Sequence, residues 1–204
     1  VIRALAILLV SALPARATVD GWPALHDVAG VAADDVLNVR AEPDAEAEIV
    51  GTLAHDATDI EVIRPNDDFT WGWVATGEGM GWVSLAYLER QPGQWDGQYP
   101  DFAFCSGTEP FWSLSRSEGR IAFEGLDLPA SGAPVEFEES SLNHRGRHSF
   151  KAGGMIGVLS NVPCNDGMSE LEYGWELNLI RLSGPEGQRH FMGCCSIRPR
   201  EVSR

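Results

Sequence analysis

Trp175-Glu176-Leu177-Asn178-Leu179-Ile180-Arg181-Leu182 alternates, with Trp175, Leu177 and Leu179 on one side. A period of two is the signature of a half-buried strand. Ser183-Gly184-Pro185-Glu186-Gly187 is a turn, and Arg189-His190-Phe191-Met192-Gly193-Cys194-Cys195 returns. Reading backwards, Ile156–Ser160 is apolar, Val135–Glu138 alternates, and Phe111–Arg116 forms a hairpin with Arg120–Glu124 across Ser117-Glu118-Gly119. No ten-residue helical stripe interrupts these runs. Residues 101–198 are therefore expected to form an antiparallel β-barrel or sandwich.

All four cysteines fall in this half: Cys105, Cys164, Cys194 and Cys195. Adjacent cysteines on a strand point to opposite faces, so Cys194 and Cys195 prefer separate partners to a strained ring with each other. The expected pairs are Cys164–Cys194 and Cys105–Cys195, with the exchanged pairing as the alternative. No C-x-x-C spacing favours zinc, and no metal or other cofactor is expected.

The cysteines fit the other end of the chain. Arg3 precedes the apolar run Ala4–Leu13, and Ala15-Arg16-Ala17 supplies small residues for a signal peptidase. Residues 1–17 read as a secretory signal peptide, too short to span a bilayer. A bacterial signal of this kind points to the periplasm, where thiols pair. No other segment is apolar enough for a membrane span.

Between the two ends lies a turn-rich region of short strands. Val36–Arg40, Glu48–Leu53, Asp59–Ile63, Trp71–Val74 and Gly81–Val83 are separated by Gly, Pro and Asp clusters, and Leu85–Leu88 closes as a helical turn. Five short strands in about 60 residues describe a small β-barrel. Leu37, Val39, Ile49, Leu53, Val62, Val74, Val83 and Leu88 are its expected core. Gln91–Pro100 is the linker, and Trp95 and Tyr99 suggest that it is partly pinned. The domain plan is a signal at 1–17, a first barrel at 18–90, a linker at 91–100, a second β domain at 101–198 and a tail at 199–204.

Two stretches of the first module, DDVLNVRAEPDAEAEIVGTL (34–53) and WGWVATGEGMGWVSLAYLE (71–89), resemble the bacterial SH3-like domain. That family shows L-N-V-R-x-x-P, I-x-G-x-L and W-x-x-V followed by G-x-x-G-W-V-x-x-x-Y-L. The resemblance implies a non-catalytic envelope module with Trp71 and Tyr87 in an aromatic ligand groove. Trp73 departs from the pattern. It is expected either to stack on a sugar or proline ring or to pack against the second module.

CSGTEPFWSL (105–114), PCNDGMSELEYGWELNL (163–179) and the late GCC (193–195) resemble a family of bacterial envelope proteins. Its pattern is C-x-G-[TN]-E-P-F-W, C-x-D-G-M-S and a late G-C. This implies an exported β domain with Cys164 and Cys194 at matched positions, and it implies no activity. Within it, Glu109, Trp112, Asp166 and Ser169 form a possible second site. Glu109 beside Phe111 and Trp112 is either an acid of raised pKa or a hydrogen-bonded turn residue. Asp166 and Gly167 read as a loop cap or a binding loop. Ser169 lacks a G-x-S-x-G context for a nucleophile. His144-Arg145-Gly146-Arg147-His148 with Lys151 is one basic cluster, suited to an anion or to the acidic first module.

Charge narrows the partners. The chain has 30 acids and 15 bases, and residues 18–90 alone carry 15 acids against 3 bases. No nucleic acid is expected as a partner, since phosphates require a basic surface. The expected function is non-enzymatic binding of an envelope peptide, protein or neutral cell-wall component. The alternative is a wall-hydrolase accessory or lysozyme-inhibitor-like protein.

Overall fold

The computed structural model describes residues 19–77, 79–182 and 187–198. The expected signal at 1–17 and tail at 199–204 lie outside these residues, as does most of the turn at 183–187. Among the described residues the fold is all β, with one 3-10 turn at Leu85–Tyr87. No described helix is long and apolar enough to cross a membrane.

The first module is one antiparallel sheet of seven strands. These are β1 (Ala24–Val28), β2 (Val36–Arg40), β3 (Ile49–Ala54), β4 (Ile60–Pro65), β5 (Trp71–Thr76), β6 (Gly79–Ser84) and β7 (Leu88–Arg90). Their spatial order is β3-β2-β6-β5-β4-β1-β7. Val28, Leu37, Val39, Ile60, Val62, Val74 and Val83 form the core, with Leu53 and Leu88 packed against it. Ile49, expected inside, is half exposed at 50%. It sits on the edge strand where the β2–β3 register shifts at Val39/Arg40, so the alternation no longer carries it inward.

β1 was not expected from the sequence. Ala24-Leu25-His26-Asp27-Val28 places His26 between Ala24 and Val28 on the inner face, which masks the apolar alternation. β1 pairs with β4 and β7, with Leu25 opposite Glu61.

The second module is a closed antiparallel barrel of eight strands. These are β8 (Phe104–Gly107), β9 (Trp112–Ser117), β10 (Arg120–Gly125), β11 (Leu128–Ser140), β12 (Arg147–Ala152), β13 (Met155–Cys164), β14 (Tyr173–Arg181) and β15 (Arg189–Ser196). Closure between β15 and β8 leaves no free sheet edge. The expected inward set Trp175, Leu177 and Leu179 is buried, beside Phe102, Leu114, Ile121, Phe123, Phe150 and Leu159. Arg181 continues that inward face. Its guanidinium lies 4.2 Å over the Phe123 ring and donates to the Pro129 carbonyl at 3.1 Å.

Cys105 is bonded to Cys195 and Cys164 to Cys194. Cys195 faces the core. Cys194 instead ties β15 to Cys164, where the loop from Asn165 begins.

The modules are docked. Leu25 packs on the barrel core. Asn161 Nδ2 donates to the Trp22 carbonyl at 2.7 Å. Pro23 lies so close to Gly174 that an added Cβ would approach its Cδ to 2.5 Å, which accounts for glycine there. Arg64 pairs with Glu172 across the joint at 3.2 Å.

Candidate functional site

β5 carries the first candidates. Gly72 and Val74 point inward, so Trp71 and Trp73 share the outer face. The two have different surroundings. Trp73 is opposite Trp82 of β6, with ring centres 4.9 Å apart. Arg64 lies 5.2 Å from the centre of each ring. That guanidinium is the one bonded to Glu172, so Trp73 belongs to the module joint. Trp71 lies opposite Ser84, just before the 3-10 turn that carries Tyr87.

Trp71 and the expected Tyr87 have a neighbour that the sequence did not suggest, Phe69. Phe69 is 65% exposed and Tyr87 45% exposed. The Leu85 amide donates to the Thr70 carbonyl at 2.9 Å, tying the turn before β5 to the turn bearing Tyr87. Phe69, Trp71 and Tyr87 thus form an aromatic rim on neighbouring elements. An aromatic inside the turn cluster Pro65-Asn66-Asp67-Asp68 was the available signal for Phe69, since turn tips face water.

The second-module candidates do not assemble into a catalytic group. Trp112 is barrel core, stacked 5.9 Å from Phe123 and tilted 5.9 Å from Phe191. Glu109 is exposed, at a left-handed turn position with φ 56°. Asp166 Oδ1 accepts from the amides of Met168 and Ser169 at 3.0 Å and from the Ser169 hydroxyl at 3.1 Å. Those bonds hold its carboxyl below the usual range. This is a loop cap, and it occupies both Asp166 and Ser169. Thr108 Oγ1 donates to the Asp166 carbonyl at 3.1 Å, which brings the two motif loops together.

The basic cluster divides. His148 is buried on β12, with Nδ1 2.9 Å from Ser140 Oγ and its ring edge-on to Tyr99 and Trp175. Burial lowers its pKa. Arg145 reaches the linker at Asp96, 3.2 Å away. Among the described residues no His, Cys, Asp and Glu grouping suits a metal.

Two features of the joint carry unusual chemistry. Glu61 of β4 is buried and accepts from the Ser196 hydroxyl and, at 3.2 Å, from the Ile197 amide. Burial raises its pKa despite these bonds. His26 stacks on Trp22, centres 5.5 Å apart, and burial lowers its pKa to about 4.

A cavity of about 380 Å³ opens where β1, the linker and the second barrel meet. Trp95, Gln98, Tyr99 and Trp175 are among its lining residues. No model of a known protein family matches the chain, and no curated protein matches it.

Proposed function

We propose that this is a non-catalytic binding protein of the cell envelope, exported to the periplasm. Its first module acts as an SH3-like barrel that holds an extended peptide segment of an envelope partner. The observation that carries this reading is the rim of Phe69, Trp71 and Tyr87. Two exposed rings, Phe69 and Tyr87, with the half-buried Trp71 between the elements that carry them, suit proline and other flat side chains. Asp67 and Asp68 stand beside the rim in a module with 15 acids and 3 bases. The preferred segment is therefore neutral or basic.

Selection of peptides from a random library on the full chain tests this. Enriched peptides should be rich in proline and basic residues, and Trp71→Ala or Tyr87→Ala should weaken them about tenfold, or 1.4 kcal/mol. Trp73→Ala should leave the affinity within about twofold. Failure to enrich, or peptides indifferent to both rim substitutions, overturns the reading.

A further inference from the structure

β3 is the long open edge among the described strands. The second barrel is closed, and β7, at the other end of the first sheet, is three residues long. β3 runs for six residues and pairs with β2 alone. Every second residue of such a strand turns its amide and carbonyl to the open side. Among the described residues, no amide or carbonyl of Ile49–Leu53 bonds to anything but β2. The strand reads Ile-Val-Gly-Thr-Leu-Ala, with no proline and no charge, two devices that commonly blunt an edge. Its one irregularity, the register shift beside Ile49, lies at its start. Ile49 and Val50 leave 50% and 41% of their surfaces open, and Thr52 is exposed. This edge is separate from the rim. Gly51 faces Thr76, where an added Cβ would approach Cγ2 to 3.1 Å, and Thr76 is at the opposite end of β5 from Trp71.

Exposed acids stand at both ends of the strand. Glu42, Asp44, Glu46 and Glu48 precede it, Asp56 follows it, and Asp34 and Asp35 lie just before Val36, which is opposite Ala54. Among the described residues none of them pairs with a lysine or arginine. Arg40 is turned to the Ala47 carbonyl at 2.6 Å. These charges decide what can pair with the edge. Opposite residues of an antiparallel pair both turn their backbone groups inward or both turn them away. Two copies of β3 can therefore pair only about a residue that faces itself. Centred on Thr52, that register sets Glu48 opposite Asp56 of the other copy. Centred on Gly51, it brings Glu46 towards Asp56. A parallel pair sets each acid beside its own counterpart. Like charges directly opposite work against pairing. A segment with basic ends meets attraction at both ends instead.

We infer that β3 is a strand-addition site for an extended segment of a protein partner, with β-branched residues at its middle and lysine or arginine at its ends. Main-chain bonds to the open side of β3 supply the affinity, and the flanking acids choose the partner and discourage a second copy. This site goes beyond the rim and does not depend on the rim being a peptide site.

Fluorescence anisotropy of the full chain with the labelled peptide Arg-Lys-Thr-Val-Thr-Val-Thr-Lys-Arg tests it. Saturable binding is expected, weaker at high salt, and absent for the peptide with glutamate in place of its basic residues. N-methylating the valines removes the amides on one side of the bound strand, and N-methylating the threonines removes those on the other. One of these two peptides should lose at least about tenfold in affinity and the other should stay within about twofold. Glu46→Lys/Glu48→Lys, at two exposed positions, should weaken the unmethylated peptide about tenfold, and Trp71→Ala should have no effect. Amide hydrogen exchange should slow within Val50–Leu53 on binding. Absence of saturable binding overturns the inference, as does binding indifferent to both methylation patterns. Loss in Trp71→Ala with no loss in Glu46→Lys/Glu48→Lys moves the peptide to the rim, which overturns the strand-addition site while supporting the rim.

Discussion

The barrel of β8–β15 buries six aromatic rings: Phe102, Trp112, Phe123, Phe150, Trp175 and Phe191. The sheet of β1–β7 has a core of seven aliphatic residues, and its one fully buried ring among the described residues is the His26 imidazole. Its aromatics lie elsewhere. Trp22, Trp73 and Trp82 are at the joint under Arg90 and Arg64, and Phe69, Trp71 and Tyr87 are at the rim. Aromatic side chains carry the largest apolar areas, roughly 150–250 Å² each. One module uses them for its own core and adds two disulfides. The other places them at its surface and at the joint, and takes support from its neighbour.

Opening the disulfides is the most severe way to break that contrast. Cys105–Cys195 closes 90 residues and Cys164–Cys194 closes 30. In the chain-entropy model, removing the first costs about 4–5 kcal/mol and the second about 1 kcal/mol less. Urea unfolding of Cys105→Ala/Cys195→Ala and of Cys164→Ala/Cys194→Ala checks the order. Equal losses would mean that the longer loop is not what the bond constrains. Because the first module leans on Asn161, Gly174 and Ser196 of the barrel, its own unfolding midpoint should fall along with the second's.

Acid offers a second lever, aimed at the first module. His26 titrates near 6.5 when exposed and about 4 in place. The native state binds this proton less readily than the unfolded chain. Its contribution is complete above pH 6.5 and disappears as pH falls through about 4. The loss is on the order of 3 kcal/mol. Glu61, opposite Leu25 on the neighbouring strand, has the reverse sign. Its raised pKa means that the folded chain holds the proton more tightly, so it gains stability as pH falls towards the ordinary glutamate value. The unfolding free energy of Glu61→Gln, which lacks the compensating gain, should therefore fall between neutral pH and pH 4, and fall by more than that of the parent chain. A flat profile in Glu61→Gln would show that His26 is not buried neutral.

How much of this was visible in the sequence differs between the modules for the same physical reason. Strands whose inward residues are apolar announced themselves, as Trp175-Leu177-Leu179 does, and two thiols on opposite faces announced separate partners for Cys194 and Cys195, though not which partner went to which. Strands with a polar inward residue did not. β1 hides behind His26 and β12 behind His148, since an imidazole on the inner face breaks the apolar alternation by which strands are read. Trp112 and Glu109 read as a site because the sequence places them side by side. The barrel separates them, one ring inward and one carboxylate outward. Glu61 gave no signal at all, because its burial comes from Ser196 and Ile197, about 135 residues away.

The smallest effect tests whether the joint is electrostatic or aromatic. Arg64 both pairs with Glu172 and covers Trp73 and Trp82. The guanidinium is partly open to solvent, so water and salt screen the ion pair, which is worth about 0.2–1 kcal/mol. The contact with the two rings adds roughly 0.5–1 kcal/mol and is far less sensitive to salt, because the ring faces attract the cation at short range. Arg64→Gln should cost the sum, about 1–2 kcal/mol. A double-mutant cycle with Glu172→Gln should recover only the ion-pair part, and raising the salt should erase that part while leaving the remainder of the Arg64 effect. If the cycle returned the whole loss, the tryptophans would be bystanders and the joint would be held by charge. If it returned nothing, Trp73 and Trp82 would be the surface on which the second barrel rests, and these outward-facing rings of the first module would serve docking.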